Sequence, residues 1–176
     1  PSQLPKGGRT AISATFVDDQ SFVYIIGGFD NVGRTIASNA IDVYDTKALN
    51  LTEAFRADTQ GFNLIRPRGA HTSTLMNDNA IFIAGGSDGA NAIGDVEVIV
   101  KFQKKEGNVV SNVIDLACST GDCAVTVPAL PNPLVGHGAA FTDRGVLVLV
   151  GGAAGSFASG LSHVLDITLY NPEYTP

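Results

Sequence analysis

Three pairs of adjacent glycines in this chain each directly follow a short apolar run rich in β-branched residues. The copies run Ser21 to Gly28, Asn79 to Gly86 and Gly145 to Gly152, spaced 58 and 66 residues apart. Apolar runs this short and this rich in Val, Ile and Phe are strands buried on both faces rather than helices. An internal pattern recurring at similar spacing means a repeat architecture, in which each unit buries its apolar faces against its neighbours. The match reaches upstream as well. Fourteen residues before the first glycine of each pair stand Ser13, His71 and His137, so the spacing assigns these three to one repeat position. Each opens a stretch of small and apolar residues. A polar turn follows at Asp18 to Gln20, Asn77 to Asn79 and Thr142 to Gly145. This pattern reads as strand, hairpin turn, strand.

After the glycines, small and polar residues lead to a third strand at Ala40–Tyr44, Val96–Val100 and Val164–Tyr170. The first two copies then turn into a fourth strand, at Leu49–Phe55 and Val109–Leu116. A complete unit is therefore a four-stranded antiparallel meander. The paired glycines, the Tyr44-Asp45 and Tyr170-to-Pro172 segments ending third strands, and Arg68 with His71 before a first strand resemble kelch repeats. The resemblance covers nearly the whole chain. It implies an all-β fold, a segment of β-propeller with one blade per repeat. The blades are expected at about 9–57, 68–117 and 135–176, the last lacking its fourth strand. The chain departs from the family in having no Trp, in Ser13 where His is common, and in long connections at Arg56–Arg68 and Ala117–Gly136.

Propellers close with about four to eight blades, so three leave two sheet faces and one strand edge open. The expected completion is the rest of a longer chain, a second copy, or a partner chain adding strands. The open places are expected at Tyr170 and at the outer face of the first blade.

Composition narrows the function classes. A net charge of −6 argues against nucleic acid, whose binders carry a basic footprint. The only adjacent basic pair, Lys104 and Lys105, fits a solvated hairpin tip. No apolar run approaches the roughly 20 residues of a membrane-spanning helix. Cys118 and Cys123, with four residues between them, match neither a zinc nor a redox motif. Either a local disulfide closes the turn, implying an extracellular or periplasmic setting, or both are free thiols. Asn50-Leu51-Thr52 has the form of a glycosylation sequon.

No catalytic motif, metal set or cofactor motif emerges. In kelch modules the loops after the glycine pair and before the first strand gather on one ligand-binding face. That resemblance implies Arg9, Asp30, Asn31, Arg34, Arg68, Asp88 and Asn91 as candidate binding residues. The expected function is a non-catalytic protein-binding or assembly module, with a protein partner, a second copy or a glycan as ligand. Two alternatives stand beside it: the propeller portion of a secreted enzyme of carbohydrate-active or oxidase type, and a structural subunit of a larger extracellular assembly.

Overall fold

A computed structural model describes residues 4–17, 21–53, 63–76, 80–106, 109–118, 127–144, 146–154, 157–158 and 162–166. Every regular element among them is a strand, so the fold is all-β. The first unit holds β1 (Ser13–Val17), β2 (Phe22–Ile26), β3 (Ile41–Asp45) and β4 (Asn50–Glu53), hydrogen-bonded in that order. The second holds β5 (Thr72–Met76), β6 (Ala80–Ala84), β7 (Val96–Glu106) and β8 (Val109–Cys118), again in order. Both are four-stranded antiparallel meanders, as the sequence implies. In the third unit β9 (Gly138–Phe141), β10 (Val146–Val150) and β13 (Ser162–Asp166) form a three-stranded sheet with β10 central. A small hairpin of β11 (Ala153–Ala154) and β12 (Phe157–Ala158) occupies its post-glycine loop. Residues 167–176, which hold the end of the third strand expected to run to Tyr170 and the place of the fourth strand expected to be missing, lie outside the described residues.

Burial gives the order in which the sheets lie. Side chains alternate between the two faces of a strand. In β6 all five residues are buried, so the second sheet is covered on both faces. In β2 Tyr24 and Ile26 are buried while Val23 and Ile25 are only partly so. In β10 Leu147 and Leu149 are buried, whereas Val150 is 58% exposed. The first and third sheets are therefore each covered on one face, the one toward the second. Two cores result. Tyr24, Ile26 and Val43 meet Ile81, Ile83 and Ile99 between the first and second units. Phe82, Ala84 and Val98 meet Leu147 and Leu149 between the second and third. Each fully buried Ile, Leu or Phe contributes about 1.5–3 kcal/mol, so these inter-sheet layers hold the stack together.

Strand register corrects one equivalence expected from spacing. Ser13 pairs with Ile26, Thr72 with Ala84 and Gly138 with Val150, each the residue before a glycine pair. Ser13 is thus equivalent to Thr72 and Gly138. The residue matching His71 and His137 is Ile12. The cause is the first hairpin turn, whose connection between Val17 and Phe22 is one residue longer than that between Met76 and Ala80.

Glycine pairs are needed where the sheets approach. Gly85 has φ +63°, and a Cβ there would lie 2.5 Å from the Leu134 carbonyl oxygen of the next unit. Gly151 has a similar φ of +72°, yet no atom of the described residues would lie within 4 Å of its Cβ. Alanine at Gly151 should cost only the left-handed strain, roughly 1–2 kcal/mol. Alanine at Gly85 should cost about 3 kcal/mol or more, because strain and overpacking add. Urea unfolding of the two variants checks this; equal losses would show that neighbour contact plays no part.

Candidate functional site

The strongest polar constellations line the seams between units. Before each first strand the chain makes one bridge to its own post-glycine segment: Thr10 with Phe29, Gly69 with Ser87, Val135 with Ala153. The residue preceding each bridge is Arg9, Arg68 or Leu134. Arg9 donates from Nη2 to Asp42 Oδ2 at 2.7 Å and from Nε to the Gly27 carbonyl at 2.7 Å. Arg68 donates from Nη2 to Glu97 Oε1 at 2.7 Å and from Nη1 to the carbonyls of Gly85 and Asp95. The guanidinium thus ties the entering segment to the glycine pair and to the third strand of its own sheet. Glu97 also accepts from the backbone N–H groups of Ile65 and Arg66. Both ion pairs are almost wholly buried. Burial pulls Arg68 below the ordinary guanidinium value, and the charge of Glu97 opposes that.

These two arginines are not on a ligand-binding loop face. Arg9 and Arg68 were expected there; they lie in the interior, bonded as above. The other candidates do lie in loops. Asp30, Asn31 and Arg34 share the first post-glycine loop, and Asp88 and Asn91 the second. The loops touch: a Cβ on Gly89 would collide with the Thr35 backbone oxygen. Asn31 is largely engaged within its loop, accepting from the N–H groups of Thr35 and Ile36 and donating to Thr35 Oγ1 at 2.7 Å. Asp30, Arg34 and Asn91 are exposed. Asp88 accepts from the N–H groups of Asn91 and Ala90, which hold its carboxyl down to about 2. Arg66, missed in the sequence, joins this loop face by pairing with Asp95 at 2.8 Å and Asp88 at 3.2 Å. Its position two residues before the buried Arg68 was the available signal.

The histidines belong to the seams as well. His71 Nε2 lies 2.6 Å from Ser13 Oγ of the first unit, and His137 Nε2 lies 3.0 Å from Thr72 Oγ1 of the second. Corresponding backbone bonds accompany them. Gly28 N–H donates to the Arg68 carbonyl and Gly86 N–H to that of Leu134. Ala70 N–H donates to the Ala11 carbonyl and Gly136 N–H to that of Ala70. These last three residues all have positive φ, 50° at Ala11, 53° at Ala70 and 65° at Gly136. Burial, then the charge of Arg68, lowers the His71 pKa to about 3, so the ring is neutral in the native seam.

Among the described residues no group of three or more His, Cys, Asp or Glu is placed to hold a metal ion, and no helix is long and apolar enough to cross a membrane. The expected Cys118–Cys123 bridge falls outside the described residues, since Cys123 is not among them. No protein-family model matches the chain, and no curated protein matches it either.

Two predictions follow the seam chemistry. Arg68→Leu should cost about 3–5 kcal/mol, because it leaves Glu97 buried without its cation. Adding Glu97→Leu should recover most of that loss in urea unfolding; failure to recover would mean that packing, not charge, dominates. The second concerns pH. His71 binds its proton more weakly folded than unfolded, so the unfolded chain takes up the proton first. Stability is undiminished above about pH 6.5 and falls as pH drops from there toward 3, on the order of 1 kcal/mol per pH unit for one such group. His71→Gln should flatten that slope in unfolding measured from pH 7 to 4.

Proposed function

We propose that this chain is a non-catalytic binding or assembly module of kelch-like propeller units, whose outward sheet faces are completed by further units. One observation carries the reading. In both inner seams the first glycine of the pair is closed over by the next unit's carbonyl and histidine. Gly151, with the same backbone conformation, faces nothing within 4 Å among the described residues. The surrounding face is apolar, with Val150 58% exposed where its equivalents Ile26 and Ala84 are buried. Contiguous exposed apolar surface of this kind marks an interaction site.

The non-catalytic part is supported by how the fold uses its buried titratable groups. Asp42 and Glu97 pair with arginines, and His71 bonds Ser13 across a seam. The loop face carrying Asp30, Arg34 and Asn91 is the surface this reading offers to a protein ligand. An extracytoplasmic setting for the module rests on the pairing of Cys118 with Cys123.

Amide hydrogen exchange at Gly152 in the native particle tests the reading. Gly28 and Gly86 donate their N–H groups to the next unit's carbonyl. A completed third face should protect the Gly152 amide as strongly as that of Gly86. Exchange at the rate of an open loop in the native particle would overturn the module reading.

A further inference from the structure

We propose that the open face of the third unit receives the first unit of a second copy of this chain, in a head-to-tail contact that repeats the inner seams. The proposal rests on the module reading above and names its partner. Each inner seam is made by the same set of contacts. The incoming unit's pre-strand carbonyl accepts from the second glycine, and its positive-φ residue donates to the preceding positive-φ residue. Its histidine meets a hydroxyl at the start of the preceding first strand.

The outer faces carry the two halves of this set. On the third unit, Gly152 N–H and the Gly136 carbonyl have no partner among the described residues. On the first unit, the Arg9 carbonyl and Ala11 N–H are the matching groups, and they too have no such partner. Ala11 already holds the required φ of 50°. The first unit also carries the buried Arg9–Asp42 pair in the place that Arg68 and Glu97 occupy in the second.

The side-chain contact is where the outer faces depart from the inner ones, and they depart together. Gly138 stands where Ser13 and Thr72 offer a hydroxyl. Ile12 stands where His71 and His137 bring an imidazole. A histidine arriving at Gly138 would find no hydroxyl there; an isoleucine needs none. The remaining surface is apolar on both sides, with Phe16 47% and Ile12 38% exposed on the first unit and Val150 on the third. A head-to-tail interface makes a ring when its rotation closes.

Native mass spectrometry and light scattering on the full chain test this. A particle of twice the 18.2 kDa chain mass is expected. Val150→Lys should give a folded monomer. Ile12→His should weaken the dimer about tenfold, the usual effect of a buried polar group without a partner. Gly138→Thr added to Ile12→His should restore it, by rebuilding the hydroxyl–imidazole contact of the inner seams. Gly138 has no positive φ, and a Cβ there meets only the Val150 oxygen at 3.9 Å, so threonine fits. A monomer, or a dimer indifferent to Val150→Lys or to the Ile12 and Gly138 pair, would overturn the proposal. A single copy whose Gly152 amide is protected by a different chain would also overturn it, while leaving the module reading intact.

Discussion

The constraint on which the structure depends is the approach of one unit's backbone to the glycine pair of the unit before it. The Arg68 carbonyl lies where a side chain on Gly27 would be, and it accepts the N–H of Gly28. The Leu134 carbonyl does the same at Gly85 and Gly86. Any Cβ at the first glycine would hold the sheets apart. The apolar layers of Ile81 and Ile83 against Tyr24, and of Leu147 and Leu149 against Phe82, then could not form. Glycine supplies both the missing Cβ and the positive φ that turns the chain out of the second strand. The requirement that makes the glycines visible in the sequence is therefore the one that allows the sheets to stack.

Charge is used inside the seams with the same economy. A buried arginine fixes the entering segment in units one and two because an acidic residue in the third strand neutralises it. The third unit has Leu134 at the arginine position, fully buried. Register places His163 opposite Leu149, where Asp42 and Glu97 stand opposite Ile25 and Ile83. The third unit carries neither the cation nor the carboxylate at these positions. Losing one alone would strand a charge in a low-dielectric interior, which costs several kcal/mol. Within this chain the pair is present whole in two units and replaced by packing in the third.

Most of the strand order could be read from the sequence, because two-residue periodicity and glycine pairs are local signals. The strand Ser13–Val17 and the strand beginning at Val109 fall where the residues place them. The failures have a common physical origin in contacts between distant residues. Arg9 and Arg68 look like exposed loop cations, since nothing near them in sequence reveals that Asp42 and Glu97, 33 and 29 residues away, will bury them. Ser13 was aligned with the histidines because counting from the glycines ignores the extra residue in the first turn. The hydrogen bond it makes to His71 of the next unit shows its actual place. The short hairpin of β11 and β12 left no periodic trace, being two residues per strand.

The most direct measurement of the stacked arrangement is a disulfide trap between the first strands of neighbouring units. Thr15 Oγ1 and Ser73 Oγ lie 2.6 Å apart across the seam, close to the spacing a disulfide of about 2.05 Å can bridge. In the Thr15→Cys/Ser73→Cys protein, mild oxidation followed by peptide mapping should find the two new cysteines joined within one chain in nearly all molecules. A folded protein in which they stay unjoined under the same oxidation would contradict face-to-face stacking of the repeat units.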